Sequence, residues 1–491
     1  MSRMNFLIIL VISVILLAFF FNRGFAFYDE GFILHGAQRV LQGEIPYRDF
    51  DFIYTPVTIY LVAAIFKLFG ESILIGRLLV LVVGVLTSLL IFSITYKISK
   101  NRIFSYLSAL IYLSWGPSHI NFPWPTLFAF SSGLLAAFFL ETNPFAAGVM
   151  MFVTFLFKQN FGLATLIVAI VFFVLRKKKR VVGEIKGFFC GSISAGFIYI
   201  GYLFFTDSLI PFFNNFYLYS IKSVLFQGAF ATSFPSGIKA FFYLLPGLIS
   251  LAAVFVAYKR QRENIIFPLF TLFFYIFGIR PTTDYVHLTF LLAGTGIPLS
   301  IFIRALKNNK FLSVSIYFKE YRKFIETIRN KWKLIVIYAV YVLLIFIGFY
   351  TAIFKNYYRW DSPLIKQNYF ISDQKAKIFV DRKFSVVAAE IISFINQNSK
   401  KDDYIFVFYN APMFYFLTGR QNPTRYVNFS PDLSLGKIEK QVIEDLINKN
   451  VRLIITHEAP DIWGNPLITK YILNNFQKKK EIFEFGLWKR E

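Results

Sequence analysis

The sequence predicts an all-α polytopic membrane protein with about 11 transmembrane helices and a small C-terminal α/β domain. Three observations predict this fold class. Of the 491 residues, 56% are hydrophobic and only 16% are charged. Long apolar runs recur from the N-terminus to about residue 354. Beyond about residue 380, short strand-like and helix-like patterns alternate instead, which is typical of a small α/β domain.

The predicted membrane spans are taken from the apolar runs and the turns between them. In chain order they are residues 6–21, 73–96, a third to about 113, a fourth to about 140, 144–157, a sixth to about 176, a seventh to about 206, an eighth to about 259, a ninth to about 278, a tenth to about 304, and 334–350. The run Pro56–Phe69 is not counted, because a spanning helix needs about 20 residues. It is predicted to lie in or dip into the outer interface.

The positions of Lys and Arg predict the orientation. With a cytoplasmic N-terminus, the dense basic clusters of the membrane region, such as residues 176–180, all fall on the cytoplasmic side. We therefore expect a multi-pass protein of the plasma membrane whose C-terminal domain is extracytoplasmic. The net charge of +24 resides largely in these clusters. Membrane lipids are accordingly the expected partner of this charge, and nucleic acid is not.

Two regions follow from this topology. Residues 1–354 form the predicted membrane domain, with long outer connections at residues 22–72 and 207–239. The second connection is rich in aromatic residues and is predicted to hold an interfacial helix. Residues 355–491 form the predicted extracytoplasmic domain. Its expected elements are helices at 385–398, 412–417 and 438–447, with strands at 404–409, 451–456 and 481–488 in a parallel sheet.

The carboxylate pair Asp29 and Glu30 follows the first span directly. Apolar residues recur with helical spacing from Glu30 to Gln42, and Gly43 ends the pattern, so an amphipathic helix is predicted. One interpretation is structural, with Asp29 at the N-cap and Glu30 facing the helix dipole. The other is functional, since a carboxylate at a membrane surface can act as a general base, or bind a metal or a substrate hydroxyl. The two are compatible.

The first hundred residues resemble the GT-C superfamily of membrane glycosyltransferases, nearest to the protein O-mannosyltransferase and aminoarabinose transferase branch. The resemblance rests on the acidic pair 29–30, GEIPYRDF at 43–50, Pro56, Tyr60, LFGES at 68–72 and Arg77. It extends more loosely to Lys158-Gln159, residues 280–287 and FYFLTGRQNPTRY in the tail. Where the aminoarabinose branch carries basic residues, this chain has Phe32 and Thr55.

This resemblance implies an enzyme that transfers a hexosyl or pentosyl group from a polyprenyl-phosphate donor to an extracytoplasmic acceptor. Asp29 would be the general base, with Glu30 its catalytic neighbour. Lys158 and Arg280 would contact the donor phosphate, unless they are interfacial anchors. The expected substrate contacts are Arg48, Asp49, Asp51, Tyr54 and His287. Asp49 and Asp51 could equally be solvated loop residues.

Several alternatives remain open at this stage. A divalent cation could bind at Asp29 and Glu30, although the scattered His residues and the single Cys form no metal motif. No glycine-rich turn indicates a nucleotide-sugar donor. A transporter or flippase of lipid-linked sugars is one rival, and it predicts charged residues within the spans. A non-catalytic family member whose tail binds glycans is another.

Overall fold

The computed structural model describes residues 3–176, 181–217, 234–279, 285–307, 319–355, 363–427, 429, 437–457 and 465–490. Its helices are α1 (Arg3–Phe21), α2 (Asp29–Leu41), α3 (Val57–Phe69), α4 (Ile73–Ser99), α5 (Arg102–Trp115), α6 (Pro125–Phe139), α7 (Pro144–Phe157), α8 (Gln159–Leu175), α9 (Val181–Phe205), α10 (Leu209–Phe216), α11 (Ile238–Arg260), α12 (Ile266–Gly278), α13 (Tyr285–Ala293), α14 (Gly296–Lys307), α15 (Lys319–Phe354), α16 (Arg382–Asn398), α17 (Met413–Thr418), α18 (Lys437–Asn448) and α19 (Pro466–Asn475). Its strands are β1 (Tyr369–Ile371), β2 (Ile378–Val380), β3 (Phe406–Phe408), β4 (Leu453–His457), β5 (Gln477–Ile482) and β6 (Phe485–Lys489).

The described part of the chain is mostly helical and suited to a membrane. Six helical segments are long and apolar enough to cross it: α1, α4, α9, residues 239–260, 286–306 and 331–354. Helices α3, α6, α7, α8 and α12 are apolar but shorter. The membrane location and the helical class are therefore confirmed. The number of about 11 spans stays a prediction, because the shorter helices do not reach spanning length.

The predicted first outer connection, residues 22–72, folds with two short helices, as the sequence indicates. Helix α3 has 13 residues, about 20 Å, well short of the ~30 Å hydrocarbon layer. Its separation from α4 confirms that residues 56–69 do not extend the next span. One detail of the prediction is wrong: α2 begins at Asp29, and Tyr28 occupies the N-cap position. Asp29 therefore lies in the first turn, where a carboxylate still suits the helix dipole.

The C-terminal region contains the predicted alternation of helices and strands, but its sheet is mixed. The strand order is β3-β4-β6-β5, in which β3 and β4 are parallel and the other pairs are antiparallel. The predicted third strand is in fact part of a hairpin, because the chain turns at Phe483, whose φ is 51°. The all-parallel prediction is therefore wrong. Strands β1 and β2 form a further antiparallel pair that the sequence pattern did not indicate.

This region packs directly on the first outer connection. One buried hydrophobic cluster contains Phe27 and Leu34 from the connection together with Phe384 and Met413 from the tail. The backbone N–H of Gly24 donates to the carbonyl of Phe379 at 3.0 Å. A continuous apolar core thus joins the two regions, so the tail is positioned to hold the connection in place.

Some predicted features lie outside the described residues. These are Arg280 with the turn at 280–284, and residues 218–233 of the second outer connection. Helix α10 precedes the latter gap; it buries Phe212 and Asn215, while Ile210 and Phe213 are exposed.

Candidate active site

The N-terminal turn of α2 separates the two acidic residues into different environments. Asp29 is half-buried, whereas Glu30 is completely buried. Arg77 of α4 donates from Nε to Glu30 Oε1 and from Nη2 to Glu30 Oε2, each at 2.7 Å. Both oxygens of Glu30 therefore accept hydrogen bonds from one guanidinium group, which is the strong two-point geometry of Arg–carboxylate pairs.

Arg77 also forms hydrogen bonds to the backbone at the end of α1. Its guanidinium donates to the carbonyls of Phe21, Arg23 and Gly24 at 3.2, 2.8 and 2.9 Å. The Glu30–Arg77 ion pair thus anchors the start of α2 to both α1 and α4. A divalent cation shared by Asp29 and Glu30 would have to displace this guanidinium, so these residues fit such a cation poorly. Among the described residues, no group of three or more metal-ligating side chains occurs.

Lys158 lies at the junction of α7 and α8. It is the one residue between the two helices, with φ −156° and ψ 119°, and it is only 9% exposed. Its Nζ donates to Thr126 Oγ1 at 2.9 Å. Three rings surround the ammonium, with centroids 5.5 Å away for Tyr54, 6.0 Å for Trp124 and 5.3 Å for Phe161. Such contacts stabilise a desolvated cation.

The charges of Lys158 and Asp29 act on each other. Burial lowers the pKa of the Lys158 ammonium from 10.5 to about 8, and the Asp29 carboxylate opposes this shift. Because the lowered pKa is still above 7, Lys158 is mainly protonated at neutral pH. His287, the third residue of α13, also lies within electrostatic range of Lys158. The structure therefore brings Asp29, Tyr54, Lys158 and His287 together from four separate parts of the chain.

Four of the described helices begin at this site. Asp29 is the first residue of α2, Thr126 is the second of α6, Lys158 precedes α8, and His287 is near the start of α13. The helix dipole is positive at each of these starts, although the backbone N–H groups of Glu30 and Gly31 in α2 already donate to the carbonyl of Ala26. Together with the Lys158 ammonium, this arrangement favours an anion such as phosphate.

The two positions that depart from the aminoarabinose branch have structural roles here. Phe32 stacks on Phe52, with ring centroids 5.0 Å apart and planes at 2°. Thr55 is buried and donates to the carbonyl of Phe155 at 2.7 Å, which ties the loop to α7. Gln159 donates to the carbonyl of Ile53 at 3.2 Å on the same side. These contacts fix Tyr54 beside Lys158. Among the described residues of the site, the cation is therefore Lys158 at the α7–α8 junction, and not a residue at position 32 or 55.

Other predicted substrate contacts have partners of their own. Arg48 donates to both oxygens of Asp49 at 2.9 Å, and this hydrogen-bonded cation lowers the pKa of the Asp49 carboxyl. Asp51 forms a 2.8 Å ion pair with Arg425 of the tail. Arg425 also donates to the carbonyl of Tyr47 at 2.8 Å. The structure does not join these residues to the group around Lys158, and their substrate roles stay predictions.

Helix α17 of the tail packs closely on α2. Gly31 leaves no room for a side chain, because a Cβ there would lie 2.4 Å from the backbone nitrogen of Met413. That nitrogen donates to the carbonyl of Phe27 at 3.1 Å. Gly31 lies two positions after Asp29 in the same helical turn, so the tail supports the candidate catalytic carboxylate.

His35 lies further along α2, buried against the tail. Its ring stacks on Tyr415, with centroids 4.7 Å apart. Burial lowers the pKa of His35 to about 3, and the nearby positive charges of Arg39 and Lys375 lower it further. The imidazole is therefore neutral in the folded protein at ordinary pH.

Sequence reasoning missed four residues of this site: Arg77 as the partner of Glu30, and Thr126, Trp124 and Phe161 around Lys158. Arg77 was part of the motif, and its charge inside an apolar run was the available signal, since buried charges require partners. Thr126 gave no such signal in the sequence, because buried hydroxyl groups are common in helices and its contact with Lys158 depends on tertiary packing.

The fold is shared with ArnT from Cupriavidus metallidurans. A crystal structure of ArnT bound to undecaprenyl phosphate matches with a TM-score of 0.60 and 13% identity, covering 99% of this chain and 98% of ArnT. Its apo state matches with a TM-score of 0.54 and 13% identity, covering 98% and 97%. No protein-family model and no curated protein matches the sequence. At this identity the likeness establishes the fold, over the full length of both chains.

Proposed function

We propose that this protein is a membrane glycosyltransferase of the GT-C type, which transfers a sugar from a polyprenyl-phosphate donor to an extracytoplasmic acceptor. The observation that carries the proposal is that a half-buried carboxylate, Asp29, lies within electrostatic range of a buried ammonium, Lys158, and that both residues stand at the starts of helices. The likeness to ArnT, a glycosyltransferase crystallised with undecaprenyl phosphate, supports the donor class. The mannosyltransferase-like branch, the sugar and the acceptor are finer points of the same proposal.

The phosphate of the donor would bind at the Lys158 end of the site. A polyprenyl chain stays in the bilayer, so its phosphate must be bound at the membrane surface. Lys158 would supply a positive charge and a charge-assisted hydrogen bond, and the positive ends of the helix dipoles would add to this charge. Arg280 stays a proposed second contact. Tyr54 lies beside Lys158 and His287 is within electrostatic range of it, and both are proposed to contact the sugar.

Asp29 would act as the general base. Its carboxylate removes the proton from an acceptor hydroxyl, whose oxygen attacks the anomeric carbon of the donor. As that bond forms, the bond between the anomeric carbon and the phosphate oxygen breaks. The electron pair stays on the phosphate, and the Lys158 ammonium stabilises the added negative charge. The proton remains on Asp29 until the product leaves.

Glu30 is proposed as the residue that positions this base. Its two oxygens are occupied by Arg77, so it is poorly placed to accept a proton. The ion pair instead holds the first turn of α2 against α1 and α4. This modifies the sequence-based expectation, in which both acidic residues took part in the chemistry.

The test separates binding from transfer in the purified protein. Undecaprenyl phosphate serves as the binding probe, and its release from undecaprenyl-phosphate mannose or aminoarabinose reports transfer. Asp29→Asn is expected to bind the probe normally and to lose transfer about 10²–10⁴-fold, the usual contribution of a general base. Lys158→Gln is expected to weaken probe binding about 10–100-fold, through loss of a charge-assisted hydrogen bond.

Two matched substitutions control for general effects of the changes. Asp402→Asn makes the same change at an exposed carboxylate of the tail, and Lys67→Gln does so at an exposed lysine of α3. Both should behave as wild type. Wild-type transfer by Asp29→Asn would remove Asp29 from the mechanism. Movement of the lipid-linked sugar across the bilayer without its consumption would favour a transporter instead.

A further inference from the structure

The Lys158 ammonium is held in a position that several forces oppose. The side chain is buried, which favours the neutral amine. It also lies at the N-termini of α6 and α8, where the positive end of each helix dipole repels a cation. A protonated lysine stays in such a place only if specific groups bind it. Asp29 opposes the loss of its proton through charge, and the three aromatic rings stabilise the desolvated cation.

Thr126 supplies the direct contact. Its Oγ1 accepts a 2.9 Å hydrogen bond from Lys158 Nζ. The same oxygen accepts a second hydrogen bond, also at 2.9 Å, from the indole Nε1 of Trp124. A hydroxyl oxygen has two lone pairs. One accepts the hydrogen bond from Lys158 and the other accepts the hydrogen bond from Trp124. The Thr126 oxygen therefore favours a hydrogen-bond donor beside it, and the protonated Lys158 side chain is such a donor.

We propose that Thr126 is a positioning residue, which fixes the Lys158 ammonium at the donor-phosphate site while the Trp124 indole fixes the Thr126 hydroxyl. This inference rests on the proposed function of Lys158. Thr126 is the second residue of α6 and is almost fully buried. The first turn of α6 thus presents the hydroxyl that holds the ammonium at the positive end of the helix dipole, which attracts the same anion. The charge of Asp29 alone does not fix where the Lys158 ammonium lies, whereas the hydrogen bond to Thr126 does.

The test measures binding of undecaprenyl phosphate to the full-length protein as a function of pH. Thr126→Val keeps the shape of the side chain and removes the acceptor. It is expected to weaken binding about tenfold or more. Because the lost hydrogen bond favoured the protonated lysine, binding should also decline at a lower pH than in wild type. With a sugar donor, the loss should appear in KM more than in kcat.

Three further variants make the result specific. Thr126→Ser retains the oxygen and should restore both the affinity and the pH profile. Trp124→Phe keeps a ring near the ammonium, removes the indole donor, and should give a smaller loss in the same direction. Thr165→Val removes a buried hydroxyl of α8 that donates to the carbonyl of Phe161 in its own helix. It should leave binding unchanged.

The outcomes distinguish this inference from the function on which it rests. If Lys158→Gln binds the probe like wild type, the proposed phosphate role of Lys158 fails. If Lys158→Gln is impaired but Thr126→Val keeps the wild-type affinity and pH profile, only the positioning role is overturned. If Thr126→Ser and Thr126→Val are equally impaired, the hydroxyl oxygen is not responsible and the positioning role is likewise overturned. Thermal unfolding of each variant in detergent identifies any that fail to fold, and Trp124→Phe then decides.

Discussion

Replacing Gly31 by alanine tests how the tail supports the candidate catalytic carboxylate. A Cβ at this position would lie 2.4 Å from the nitrogen, 2.7 Å from the Cα and 2.8 Å from the Cβ of Met413. Ordinary van der Waals contact begins near 3.4 Å, so α2 and α17 must separate by about 1 Å. The hydrogen bond from Met413 to the Phe27 carbonyl, now 3.1 Å, would lengthen with them.

The magnitude follows from two opposing terms. Overpacking of a close contact costs about 1–3 kcal/mol, and replacing glycine by alanine in a helix returns up to about 1 kcal/mol. A net loss of about 1–2 kcal/mol of stability is therefore expected. Activity should fall more steeply, since a displacement of about 1 Å at a reacting group can cost about 10²-fold.

The assay combines thermal unfolding in detergent with sugar transfer from the lipid-linked donor. Gly201→Ala is the matched control, because no heavy atom lies within 4 Å of a Cβ placed on that residue of α9. A second variant adds Met413→Ala to Gly31→Ala. It should not rescue, since the two nearest atoms belong to the backbone of Met413. Wild-type stability and transfer in Gly31→Ala would show that α17 does not pack on α2 as described.

Three further predictions concern buried and ionic contacts. Glu30→Gln or Arg77→Met alone should cost about 3–5 kcal/mol of stability by thermal unfolding, because each leaves a buried partner unpaired; a double variant no more stable than either single variant would contradict this. For His35, whose folded pKa is below its unfolded 6.5, stability should be complete above pH 6.5 and fall as the pH decreases toward 3. The loss is about 2 kcal/mol at pH 5, and His35→Phe should remove it relative to wild type. Asp51→Arg should expose the tail to protease, and adding Arg425→Asp should reverse the effect.

The sequence was most informative where a local pattern has a direct physical meaning. Apolar run lengths and basic clusters predicted a membrane protein, and the shortness of 56–69 predicted a separate helix. Asp29 and Glu30 were recognisable as a candidate functional pair, because charged carboxylates directly after a membrane span cost free energy unless they have a partner or a function. The predicted helix at 412–417 ends where expected, and Gly419 directly after α17 adopts φ 69°, a left-handed conformation that favours glycine.

The sequence was less informative where the partner of a residue lies far along the chain. The β5–β6 hairpin was read as one strand, because a turn at Phe483 without Gly or Pro carries no strong local signal. Asp49 and Asp51 were indistinguishable by pattern, yet one pairs with its neighbour Arg48 and the other with Arg425 in the tail.

By itself, the sequence determined that this is a helical membrane protein, the position of the acidic pair and the helical character of residues 22–72 around it. Only the tertiary structure decided what each acidic residue does. Glu30 meets Arg77, 47 positions away, and becomes part of the scaffold, while Asp29 remains half-buried near Lys158. Lys158 meets Thr126 from another helix, 32 positions away. Burial and charge pairing depend on such distant contacts, and local patterns of hydrophobicity do not contain them.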